Sequence, residues 1–92
     1  MPIYELSQDA VLEAFDDGAL VLIVPERRFV ELNSSAFEIV KLLDGKRTSE
    51  QVANKIIKVH DISHDISVTQ VLQDVMKLCV ELAHSKVLKN LT

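Results

Sequence analysis

Cysteine is nearly absent from this chain of 92 residues, and the single one, Cys79, excludes an internal disulfide and suits a reducing compartment. Glycine and proline are scarce too, with two of each, which argues against a disordered or linker-rich chain. Long apolar runs are missing. The longest is the six residues 19–24, far short of the roughly 20 that cross a bilayer. Met1-Pro2-Ile3-Tyr4-Glu5 lacks the basic start and apolar stretch of a signal peptide. These absences lead to the expectation of a soluble cytoplasmic protein.

Basic charge is missing from the first third. Residues 1–26 carry Glu5, Asp9, Glu13, Asp16, Asp17 and Glu26 with no lysine or arginine, and the whole chain has a formal net charge of −4. That is a poor start for a nucleic-acid binder, which gains affinity by neutralising phosphates. The acidic third reads as a solvated sheet face in preference to an electrostatic docking surface. What the chain does have is apolar content, 48%. At this length it supports one domain with a modest core, without room for a deep enclosed active site.

The order of elements is legible in the pattern. Ala10-Val11-Leu12-Glu13-Ala14-Phe15 reads as a strand, and Asp16-Asp17-Gly18 after it as a hairpin in which Asp-Gly tolerates positive φ. The apolar run to Val24 is a buried strand ended by Pro25. Three antiparallel strands are expected, at about 11–15, 19–24 and 28–32. Ile3-Tyr4-Glu5-Leu6 fits either a fourth short strand or a loose arm.

Three helices follow. Asn33, Ser34 and Ser35 all offer N-cap oxygens, and Ser35 with Glu38 has capping-box spacing. Ala36, Ile39, Val40 and Leu43 form an apolar stripe, and Gly45 is the expected C-terminal stop. Thr48 and Gln51 are a second capping-box pair, ahead of Val52, Ile56 and Val59 on one face. His60-Asp61-Ile62-Ser63 is duplicated as His64-Asp65-Ile66-Ser67, and Ser67 with Gln70 opens the third helix. Val68, Val71, Leu72, Val75, Leu78, Cys79 and Leu82 recur at i, i+3, i+4, i+7. Met76 and Val80 widen that face, which calls for two buried neighbours, or one neighbour and a ligand. The fold class is therefore α+β, a three-stranded antiparallel sheet followed by three helices, with an open sheet edge.

Several residues together resemble the PqqD-like family, named for a pyrroloquinoline quinone biosynthesis protein that supplies the RiPP recognition element. They are Leu22-Ile23-Val24-Pro25-Glu26, then Leu32-Asn33 with Ala36, Ile39 and Val40, then Leu42-Leu43-Asp44-Gly45-Lys46-Arg47-Thr48, and finally Asp74-Val75 with Leu78, Cys79 and Leu82. The resemblance covers about residues 10–88 of a single domain. Two departures accompany it: Val40 where members often carry an aromatic, and Lys86 near a family glycine that precedes the final apolar pair, here Val87-Leu88.

The resemblance implies a winged-helix-like fold. It also implies a function: binding the leader of a ribosomally made precursor peptide and presenting it to a modifying enzyme, often a radical-SAM protein. The leader is held as an added strand on the third strand, beside the third helix. Carried over, the edge is Arg28, Phe29, Val30, Glu31 and Leu32, and the wall runs from Leu72 through Met76, Cys79 and Val80 to Ala83. An exposed edge of unpaired amides and carbonyls suits strand addition. Phe29, Met76 and Val80 are the groove candidates, and Leu32 belongs to the core.

Other chemistry is weakly supported. His60 and His64 stand four apart but in an expected loop, so no metal site is assigned. Cys79 on an apolar stripe reads as a small core residue, not a nucleophile. No Ser-His-Asp set, phosphate loop or carboxylate pair in a cleft can be built, so neither catalysis nor a cofactor is expected. Two other readings compete with the adaptor. A winged-helix DNA binder would have to use a third helix with Lys77, Gln70, Gln73 and Asp74 in place of an arginine fork. A homodimeric structural subunit would pair the open edge with itself.

Overall fold

The structure, a computed structural model, describes residues 2–61 and 65–92. In chain order its elements are β1 (Ile3–Leu6), β2 (Ala10–Phe15), β3 (Gly18–Ile23), β4 (Arg28–Asn33), α1 (Ser34–Leu42), β5 (Asp44–Thr48), α2 (Ser49–Val59), α3 (Asp65–His84) and β6 (Leu88–Asn90). The expected meander is present, in the order β2-β3-β4, with every neighbour antiparallel. Pro25 ends β3 by starting a single 3-10 turn, Val24–Glu26, closed by Arg27 in the left-handed region at φ 50°.

The first hairpin uses different chemistry from that expected. Phe15 pairs with Gly18, so Asp16-Asp17 are the turn residues. Positive φ among the described non-glycine residues is confined to Arg27, Asp61 and Lys86, so neither aspartate carries it. Gly18 carries the positive φ of this hairpin, 156°, and is required for a second reason. A Cβ there would collide with the Leu32 carbonyl oxygen of β4.

A second sheet, in the order β5-β1-β6, was not foreseen. β1 is its central strand, pairing Ile3 with Thr48 and Tyr4 with Asn90. Gly45 accordingly is not the stop of α1. The helix ends at Leu42, with the Leu43 amide donating to the Val40 carbonyl at 3.1 Å. Gly45 lies in β5 at φ 81°, where a Cβ would press on the Glu5 carboxylate.

Local caps decide the helix starts. Of the three candidates, Asn33 caps α1, its Oδ1 accepting from the Ala36 amide at 2.8 Å. The Ser35–Glu38 box does not form, and Glu38 pairs with His60 instead. Thr48 and Gln51 form both bonds of the expected capping box, at 2.8 and 3.1 Å. Val59, expected on the buried face of α2, is exposed in the last turn. α3 begins at Asp65, ahead of its expected cap. The side chain of Ser67, and His64 of the duplicated motif, lie outside the described residues.

The core joins all three helices to both sheets. Val21, Ile23 and Leu32 from the meander meet Val40, Leu43, Val52, Ile56, Val75, Cys79 and Leu82, with Tyr4 and Leu88 closing the far side. The wide apolar face of α3 is explained by two neighbours: α2 on one flank and the sheet of β1 and β6 on the other. Beyond α3 the chain turns by a Schellman motif. Val87 donates to Leu82 at 2.9 Å and Lys86 to Ala83 at 3.1 Å, with Lys86 left-handed at φ 67°. Lysine thus adopts the conformation that the family glycine would supply. No helix among the described residues is long and apolar enough to cross a membrane.

Candidate functional site

β4 is an edge strand, and the register tells which of its backbone groups lack a partner. A residue in the central strand β3 sends its N–H and C=O to the same neighbour, alternating along the strand. The two-residue hairpin makes Phe15–Gly18 the hydrogen-bonded closing pair. Gly18, Leu20 and Leu22 therefore face β2, leaving Ala19, Val21 and Ile23 for β4. Their partners are Leu32, Val30 and Arg28. The Leu32 carbonyl, turned toward Gly18, agrees with that parity. Phe29 and Glu31 are left with N–H and C=O directed off the sheet.

Side chains follow the same alternation. Leu32 is buried and Val30 half-buried on the core face, as expected for Leu32. Phe29 projects from the opposite face, 62% exposed. It lies there in a row with Leu22 and Val11. The ring expected in the groove is thus on the far side of the sheet, and Phe29 contributes to the edge only through its backbone.

One end of the edge is fastened to α3. Arg28 Nη2 donates to the Ser85 carbonyl at 2.7 Å, taking up an acceptor left over at the helix end. Glu26 bridges Arg28 Nε at 3.3 Å and Lys86 Nζ at 2.9 Å. The bond from Lys86, then the charges around it, hold the Glu26 carboxyl below its usual range. At the other end, where β4 runs into α1, Ser35 stands beside Val71 and Asp74 of α3. The segments between these two contacts, 28 to 33 on one side and 74 to 85 on the other, are matched in length. Five residue steps of β4 and eleven of α3 both span about 17 Å. α3 packs mainly on α2 and β6 rather than on β4.

The expected helical wall divides. Leu72, Met76, Val80 and Ala83 form one ridge at i, i+4, i+8 and i+11. The C-terminal end of that ridge turns toward the second sheet, since Val80 and Ala83 share a shallow depression with Asn90 of β6. Met76 and Val80 are 37% and 49% exposed on its flank. Cys79 is fully buried under the same sheet and is not a surface residue. Burial pushes its thiol up to about 11. Burial first, and Cys79 second, also raise the nearby Tyr4 hydroxyl. Strands β1 and β6, which the sequence did not announce, pack over Cys79 and leave Met76 and Val80 exposed.

The α3 residues that look toward α1 are instead Val71, Asp74 and Val75. They line a cleft of about 310 Å³ together with Ser35, Glu38 and Ile39 of α1. Ile56 and His60, at and just beyond the end of α2, complete it. His60 Nε2 and Glu38 Oε1 are 2.7 Å apart, and Gln70 Nε2 donates to Asp74 Oδ1 at 2.8 Å. The signal for these residues was in the sequence: Val71, Asp74, Val75 and Leu78 also follow helical spacing. Among the described residues no group of three or more His, Cys, Asp or Glu side chains is placed to hold a metal ion.

The sequence profile of coenzyme PQQ synthesis protein D (PqqD) matches residues 19–88. The chain belongs to the PqqD family. No curated protein sequence matches it significantly. Two solved structures share the fold. TbiB1, in complex with the TbiA(beta) leader peptide, is 21% identical with a TM-score of 0.76, over 92% of this chain and 94% of that one. The PqqD truncation of Methylobacterium extorquens PqqCD is 24% identical with a TM-score of 0.72, over 95% of this chain and 88% of that one. The solution structure of that truncation represents a functional, stand-alone RiPP recognition element. The mixed architecture of antiparallel sheets and three helices is thus that of known PqqD-like domains.

Proposed function

We propose that this PqqD-family chain is a non-enzymatic adaptor that captures the leader of a ribosomally made precursor peptide and presents it to a modifying enzyme, of the radical-SAM class or another. The observation that carries this reading is the unpaired edge of β4. Phe29 and Glu31 offer two donors and two acceptors in register for an added strand. At roughly 1 kcal/mol net per hydrogen bond, four such bonds supply about 4 kcal/mol. Side chains in the adjoining groove must provide the rest and all of the selectivity. The likeness to TbiB1, which holds a leader peptide, and to the M. extorquens recognition element supports the same role.

In this reading the groove is bounded by β4 on one side and by the Val71–Asp74–Val75 side of α3 on the other. Met76, Val80 and the Phe29 ring stand outside it. The test is titration with leader peptides encoded beside the gene, followed by backbone amide shifts. Shifts are expected at Phe29, Glu31 and along that side of α3. Shifts confined to β5 or to the solvent face of α2 would contradict it. Self-pairing of β4 in a homodimer would occupy the same groups, and sedimentation across a concentration range separates the two: the adaptor reading expects a monomer that gains mass only with peptide.

A further inference from the structure

We infer that the cleft between α1, α2 and α3 is a subsite for a lysine or arginine side chain of the captured peptide. This rests on the strand-addition reading and adds to it the class of residue recognised. A strand added to β4 alternates as β4 does, so its residues level with Val30 and Leu32 turn toward the core side. The residue level with Leu32, or the next inward one beyond it, arrives where β4 passes into α1, which is the mouth of the cleft beside Ser35.

The lining suits a long cationic side chain. Its volume, about 310 Å³, lies at the small end of ligand sites. The walls are aliphatic, with Ile39, Ile56 and Val75 buried and Val71 half-buried. Among the described residues its acidic groups are Glu38 and Asp74, and no lysine or arginine lines it. An aliphatic stem against such walls with its cation at the carboxylates is the favourable way to seat lysine or arginine. An acidic residue would be repelled, and an aromatic one would bring no charge to the carboxylates.

Both carboxylates are already oriented. Gln70 holds one oxygen of Asp74, and the other retains acceptor capacity. His60 holds Glu38, but its ring is half exposed, and an exposed pair of this kind contributes little. An incoming ammonium or guanidinium carries a full charge at neutral pH and replaces the imidazole. Arginine gains further from its two-pronged geometry. A metal ion is the poorer occupant, because these groups do not converge as a ligand set.

The probe is a phage-displayed library of random linear peptides selected on the wild-type protein and on the Glu38→Gln/Asp74→Asn double variant. On the wild type, selected peptides are expected to share a strand-like core with lysine or arginine enriched at one position. On the variant, peptides are still selected and that enrichment is gone. For one selected peptide, exchanging the enriched lysine for methionine is expected to weaken wild-type binding about tenfold and to leave the variant nearly unaffected. Amide spectra confirm that the variant is folded, and the two single variants serve if the double one is not. Peptides selected without a basic preference, or a preference that survives in the variant, would overturn the inference while leaving strand capture intact. A library that yields no peptide on the wild type would overturn both.

Discussion

Replacing Glu31 by proline tests the edge at a single backbone group. The register leaves the Glu31 amide directed away from β3, so proline there removes no bond of the meander. It does remove one donor to an added strand, about 1 kcal/mol, and the ring crowds the approaching backbone where the neighbouring bond forms. Together these predict a loss of leader affinity of at least about tenfold, which corresponds to roughly 1.4 kcal/mol. Val30→Pro should behave in the opposite way. Val30 is paired to Val21 in the interior of the ladder, so proline there breaks the sheet, lowers stability by roughly 3 kcal/mol and drops the melting temperature by more than about 10 °C. Fluorescence anisotropy with a labelled leader peptide reads the first effect, and thermal unfolding by circular dichroism the second. Glu31→Gln controls for the lost charge. A Glu31→Pro protein that folds and binds as tightly as the wild type would refute the parity argument, as would a Val30→Pro protein of unchanged stability.

Three further outcomes follow from the geometry. Lys86→Gly should raise stability by about 0.5–1 kcal/mol in urea unfolding, because glycine relieves the left-handed backbone at φ 67° and only the exposed pair with Glu26 is lost; a clear loss of stability would mean that the pair matters more than the backbone. Cys79, fully buried and with its thiol pushed up to about 11, should resist alkylation at pH 8 in the folded protein and react at once in denaturant; rapid modification of the native state would contradict its place in the core. Glu26 and Asp44 are both held below their ordinary values of 4.5 and 3.8, chiefly by the Lys86 side chain and the Lys46 amide respectively. Their contribution is therefore present above those values and is lost as pH falls through the lowered folded-state values. Glu26→Gln should flatten the acid limb of the stability curve, measured as melting temperature against pH, and an unchanged limb would show that the bridge adds nothing.

The meander, the helix order and the Thr48–Gln51 cap were legible because each rests on local chemistry: alternation, a proline break, reciprocal capping. The second sheet was not, for physical reasons. Asp44-Gly45-Lys46-Arg47-Thr48 has no apolar alternation and becomes a strand only because β1 lies beside it. β6 has only three residues, and its pairing with β1 joins opposite ends of the chain, which local pattern does not register. That sheet is what buries Cys79, which the sequence pattern alone placed on the groove wall. Periodicity showed that α3 has a broad apolar face, but not that β1 and β6 bury Cys79 within it. The facing of the Phe29 ring has a similar origin. Alternation places Phe29 opposite Leu32 in facing, but which face the helices cover is a tertiary fact. Glu38 looked like a capping residue, and only the fold brings it to His60 and Asp74 at the cleft.

Amide hydrogen exchange along β4, with and without a bound leader peptide, tests the central claim most directly. In the free protein the Val30 and Leu32 amides should be protected by β3 while those of Phe29 and Glu31 exchange freely, and peptide should slow the latter two selectively. Phe29 and Glu31 amides that are protected in the free monomer, or that stay unprotected in the complex, would contradict it.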